Sequence, residues 1–200
     1  PDSRSTEARI SNPELFSQGL YTPPPPFGAA FTDTSTYLAG RIAVGLFLPQ
    51  ANGSLDPVRT TWTAVQEAAV AAKVNAAMTW IQAQSPESQL TFVWDIHLGA
   101  PCDYEPILHP GLDSWIWVDN VVQKFGHSNI RAYNNSLRIS LNTDWAFSVF
   151  VANDQGYPAS GGRFPDGYFA FAYLGGPYQV MTYSNAGWGI SEMDTVCAHE

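Results

Sequence analysis

DGYFAFAYLGGPYQVMTYSNAGWGISEMDTVCAHE, residues Asp166 to Glu200, carries signals of strand, turn, strand and helix in one run. Aromatic and small apolar residues fill Tyr168 to Leu174, and Gly175-Gly176-Pro177 then supplies turn residues that lead the chain into a second apolar run, Tyr178 to Tyr183. Ser191, with Asp194 three residues on, has capping-box spacing, so a helix is expected to begin there. Met193, Val196 and Cys197 fall at helical spacing behind it and give that helix an apolar face for the body of the domain.

His199 and Glu200 close this helix. Adjacent His and Glu on a helix form the first half of His-Glu-x-x-His, in which histidines at i and i+4 share one Zn²⁺ and the glutamate acts as general base. The plain alternative is an exposed polar turn of helix. Spacing leaves open which face of the helix meets a cleft.

Upstream, the same period changes mark further elements. Arg41 to Pro49 reads as a strand with Val44, Leu46 and Leu48 on one side, ended by the Asn52-Gly53 turn signal. From Thr63, an N-cap with Gln66 three residues on, Trp62, Val65, Ala69, Ala72, Ala76 and Trp80 recur at helical steps and predict a long, alanine-rich packing helix. Leu90 to Leu98 is the next strand, and a helical crossover usually joins parallel neighbours. Two shorter helices follow, one with Trp115, Val118, Val122 and Phe125, the other capped by Ser128 with Ile130, Tyr133, Leu137 and Leu141. Trp145, Phe147, Val149 and Val151 alternate as a strand covered on both faces. The sum is an α+β domain with a mixed, mostly parallel sheet, spanning 39–200, behind a Pro-rich linker or arm, 1–38, that contains Pro23 to Pro26.

Composition narrows the function classes. A net charge of −9 with only 9 Lys and Arg argues against a nucleic-acid surface, which needs clustered cations. No window approaches the roughly 18 apolar residues of a membrane span. Both ends read as cut, since Pro1 is not an initiator and the motif stops half written. Cys102 and Cys197 could pair with each other, pair with a cysteine elsewhere, or stay free. His97, His109 and His127 have no ligand partner at i+3 or i+4. The loops Asn52 to Asp56 and Asp154 to Gly156 offer oxygens for Ca²⁺, although neither matches an EF-hand and solvated turns are their ordinary role.

The closing stretch, together with GRIAVGLFLPQANGSLDP (Gly40 to Pro57), LTFVWDIH (Leu90 to His97), YEPILHP (Tyr104 to Pro110) and TDWAFSVFVAND (Thr143 to Asp154), resembles a bacterial or archaeal group of secreted zincin-type zinc metallopeptidases. That resemblance implies the N-terminal subdomain of a zincin, with a long packing helix, an antiparallel edge strand and the start of the active-site helix. It implies that His199 is the first zinc ligand and Glu200 the catalytic base, with the remaining ligands beyond residue 200 and this piece inactive by itself. It also implies a peptide or protein substrate, docked along an edge strand made of Tyr168, Phe169, Ala170, Phe171, Ala172, Tyr173 and Leu174, by backbone pairing that ignores side-chain sequence. Without the resemblance, that segment reads more readily as an interior strand of a meander whose aromatic residues fill the core.

Two other classes stand beside the peptidase. One is a non-catalytic secreted binding or adhesion module on a degenerate zincin fold. The other is a glycosidase drawing two acids from Asp95, Asp103, Glu105 and Asp154, although no spacing selects a pair.

Overall fold

The computed structural model describes residues 34–200. The expected arm lies outside them except for its last residues, and these rest on the domain. The Ala146 amide donates to the Thr34 carbonyl (2.8 Å), and Tyr37 meets the Trp145 ring edge-on at 5.2 Å.

Nine regular elements follow in the order β1 (Arg41–Ala51), α1 (Ala64–Gln84), β2 (Thr91–Cys102), α2 (Trp115–Lys124), α3 (Ile130–Ser140), β3 (Trp145–Ala152), β4 (Ala170–Ala172), β5 (Tyr178–Thr182) and α4 (Met193–His199), with short 3-10 turns between them. The five strands form one sheet in the order β2-β1-β3-β5-β4. The first three pairings are parallel, and β4 alone runs antiparallel at the edge. The protein is thus a mixed α/β domain with a mostly parallel sheet and four α-helices among the described residues.

Strand alternation divides the core in two. Ile42, Val44, Leu46 and Leu48 of β1 pack with Val70, Val74, Ala77 and Met78 of α1 and with Met193, Val196 and Cys197 of α4. Ala43 and Phe47 point the other way, into a cluster with Trp117, Val121 and Val122 of α2 and Tyr133 and Leu137 of α3. Helices on both faces explain why β1 and β3 are apolar at almost every position. Burying a Met or Val side chain contributes about 1.5–3 kcal/mol, so Met193 and Val196 help to hold a helix too short to be stable alone. Gly45 is required in mid-strand, because a Cβ there would stand 2.8 Å from the Tyr133 ring.

Several expectations shift by a residue or a face. The capping box of Thr63 and Gln66 is present, but α1 is rotated from the predicted apolar row. Val65 and Trp80 face solvent, the latter 57% exposed, while Val70, Val74 and Met78 are buried. Alanine gives the predicted row little volume, and the branched residues plus Met78 win the core. Asn129, not Ser128, caps α3, through a hydrogen bond its side-chain oxygen accepts from the Ala132 amide (2.9 Å). Ser191 does not cap α4 either; it sits in a 3-10 turn before the helix, and Asp194 pairs with Lys73 of α1 (3.1 Å) instead of closing a box.

The two cysteines do not pair with each other. Cys102 lies in the α2/α3 cluster and Cys197 in the α1/α4 cluster, with the sheet between them, and both are free and buried. Burial pushes each thiol up to about 12.

Candidate functional site

The antiparallel edge strand is shorter than the sequence suggested. Only Ala170, Phe171 and Ala172 pair with β5. Tyr168 and Phe169 before the strand, and Tyr173 and Leu174 after it, lie outside the ladder; Tyr168, Tyr173 and Leu174 are exposed. The reason is the tight Gly175-Gly176-Pro177 turn, where the Gly176 amide already closes on the Tyr173 carbonyl (2.7 Å).

Register decides which backbone groups face outward. The Thr182 amide donates to the Phe169 carbonyl (2.8 Å), and by antiparallel alternation Phe171 also turns its backbone toward β5. Ala170 and Ala172 therefore turn their amides and carbonyls to the open edge. The Ala172 amide there lies close enough to the Glu200 carboxylate to favour its charged form.

This contact depends on how α4 is seated. The helix packs along α1 and on the sheet face, with Met193, Val196 and Cys197 buried, so its last turn arrives beside the start of β5. Gln179 of β5 fixes the distance by donating through Nε2 to the Cys197 carbonyl (3.3 Å) and thiol (3.0 Å). Lys73 holds the other end through Asp194 and the Ser191 carbonyl. Neither residue was singled out from the sequence. The available signal for Gln179 was one amide inside the apolar strand YQVMT.

His199 and Glu200, exposed at the end of α4, border a cleft of about 240 Å³ together with Ala172, Tyr173, Gly176 and Gln179, floored by Ile42, Met78 and Phe147. His199 also lines a groove of about 550 Å³ between α1 and α4, with Ala76, Trp80 and Ala198. Desolvation raises the Glu200 carboxyl above its ordinary range, partly offset by His199 and by the Ala172 amide. A carboxylate raised in this way is the better proton acceptor.

The other histidines are committed elsewhere. His97 stacks on Phe47 (4.5 Å) and meets Asp95 (3.1 Å), His109 binds Asp56 (2.6 Å), and His127 stands edge-on to Tyr133 (5.2 Å). Among the described residues no three His, Cys, Asp or Glu side chains group as metal ligands. A zinc site takes three or four protein ligands, and His199 by itself is a single imidazole.

No family model, curated protein or solved structure matches this chain.

The acids weighed for a glycosidase are each engaged separately. Asp95 accepts from Tyr133 (2.9 Å). Asp103 binds Lys124 (2.6 Å) and Asn120 (2.9 Å). Glu105, buried and raised by desolvation, takes the Thr60 hydroxyl (3.0 Å). Asp154 is buried beyond β3.

Proposed function

We propose that this chain is the substrate-docking part of a zinc-dependent, secreted peptidase of the zincin type, with His199 as one zinc ligand and Glu200 as the general base. The observation that carries this reading is the place of His199 and Glu200 at the end of α4, where they border one cleft with Ala172 of the edge strand. It puts a candidate base against the one antiparallel edge of the sheet.

An extended peptide can add to that edge through the outward groups of Ala170 and Ala172, which binds main chain irrespective of sequence. Glu200 would then stand beside the bound backbone and could take a proton from water and return it to the departing amine. A bound zinc ion supplies the Lewis acidity that makes water a nucleophile near neutral pH. His199 would donate one imidazole to it, and the remaining ligands would follow Glu200 in sequence, the first at four residues from His199.

In the full-length protein, His199→Ala should lose both zinc and peptide cleavage. Glu200→Gln should keep near-stoichiometric zinc by atomic absorption while cleavage falls by roughly 10²–10⁴-fold, the usual effect of removing a general base. Near-normal cleavage by zinc-loaded Glu200→Gln would reject this mechanism.

The exposed Tyr173 and Leu174 beside the edge also favour a second reading, a module that docks strands without cutting them. Peptide binding without hydrolysis by the zinc-replete protein would select it.

A further inference from the structure

β2 is the end strand of the sheet on the side away from β4, and its outer edge is open. The Thr91 amide donates to the Gly40 carbonyl (2.9 Å), so by parallel alternation Thr91, Val93, Asp95 and His97 turn their backbone toward β1, while Phe92, Trp94, Ile96 and Leu98 turn theirs outward. Among the described residues no group hydrogen-bonds to these four outward amides and carbonyls.

The side chains on this edge are apolar as well. Phe92 and Trp94 are half-buried against the α1 cluster, and Ile96 (46%) and Leu98 (48%) are exposed. Proteins normally blunt such an edge with lysine, proline or a bulge. Here those devices come only at its end, where β2 inserts an extra residue between the Phe47–His97 and Pro49–Ala100 pairs, Gly99 takes a φ of +56°, and Pro101 follows. Phe92 to Leu98 is left unprotected.

The charges in this stretch select the occupant. Asp95 and His97 are its only ionisable side chains and lie on the same face, two residues apart. Of the two-fold antiparallel registers that match outward backbone groups, only the one centred on Ile96 sets Asp95 opposite His97 of a second copy, and it does so twice. The same register sets Trp94 opposite Leu98 and Ile96 opposite itself, which closes the apolar row. Centring on Asp95 or on His97 would set like groups against each other, which is unfavourable. Within its own chain Asp95 meets Tyr133 (2.9 Å) and His97 (3.1 Å) through Oδ2, which leaves Oδ1 as an acceptor.

We propose that β2 pairs with β2 of a second copy of this chain, antiparallel and centred on Ile96, to join the two sheets into one. The contact is isologous, as closed dimers require. β4 and the cleft beside His199 lie at the far end of each sheet, so the dimer is independent of the zinc reading. A strand pair this short stands at the small end of specific interfaces, and its dissociation constant should be on the order of 1–100 µM.

Sedimentation velocity of the full-length protein over that range should show a concentration-dependent dimer. Ile96→Lys, which brings two ammonium groups together on the two-fold axis, should weaken it at least about tenfold without lowering the melting temperature. Leu174→Lys, which removes an equally exposed apolar side chain at the other end of the sheet, should leave the dimer intact. Under oxidising conditions Ile96→Cys should give a disulfide-linked dimer, since directly opposite residues of this kind stand about 5.5 Å apart at Cα, and the native thiols are buried. Leu98→Cys faces Trp94 of the second copy and should not crosslink. The crosslink reports the register even if Ile96→Lys does not fold. A wild-type protein that is monomeric at about 100 µM would overturn the proposal and leave the edge to a foreign strand. So would a dimer that survives Ile96→Lys, an Ile96→Cys protein that does not crosslink, or a crosslink through Leu98→Cys.

Discussion

Asp103 shows how far a single surface carboxylate can be biased by its neighbours. Hydrogen bonds from Lys124, Asn120 and Asn52 hold its pKa at about 2, against an ordinary 3.8. A lowered folded value means that the carboxylate favours the fold at pH above the ordinary value, and that this contribution is lost as pH falls toward the folded one. The melting difference between wild type and Asp103→Asn should therefore be constant above about pH 5 and shrink between about pH 4 and pH 2. A carboxyl-carbon titration by NMR should give a midpoint near 2; a midpoint near 3.8 would remove the claim. Glu105 is shifted the opposite way because burial outweighs its Thr60 hydrogen bonds. At this scale the sequence offered His199 and Glu200 as candidates by type and order alone, and the fold adds the cleft they border. It was silent on Asp103 and Glu105, because their partners lie at Asn52, Thr60 and Lys124 and only folding brings them together.

Among the elements, β4 holds the proposed docking groups in three residues. Proline at Ala172 deletes the outward amide near Glu200, and proline at Ala170 deletes another outward edge amide; neither removes a donor to β5. In the full-length protein both variants should raise the Michaelis constant or abolish turnover. Ala172→Pro should also move the acidic limb of the pH-rate profile upward, since the amide it removes lowers the Glu200 pKa. Melting curves must accompany the kinetics, and normal kinetics in both folded variants would exclude β4 as the docking edge. Element type was readable wherever the period was long and the caps explicit, as in α1 with Thr63 and Gln66. The extent of β4 was not, because aromatic residues suit a strand wherever they stand and only the position of the Gly175-Gly176 turn ends the ladder. Nor was the buried face of α1, where two apolar rows compete and volume decides.

For the whole molecule, the opposite-face placement of Cys102 and Cys197 predicts that reductant leaves the melting temperature unchanged and that neither thiol reacts with a thiol reagent until the protein is denatured. Rapid labelling of the native protein would contradict the layering described above. The mostly parallel sheet was legible from the alternation of strands with helices, whereas its order, β2-β1-β3-β5-β4, depends on pairings no local pattern encodes. That order has a kinetic side. β1 is hydrogen-bonded to both β2 and β3, so its inner position is complete only when Ile42 has met Trp145. Joining positions so far apart exacts its loop entropy before the contacts return any of it, which slows folding. On the ribosome, a largely apolar β1 must wait with one side open while about a hundred residues are made. Holdase chaperones should therefore engage nascent chains that end between Cys102 and Trp145, and release them once β3 has emerged.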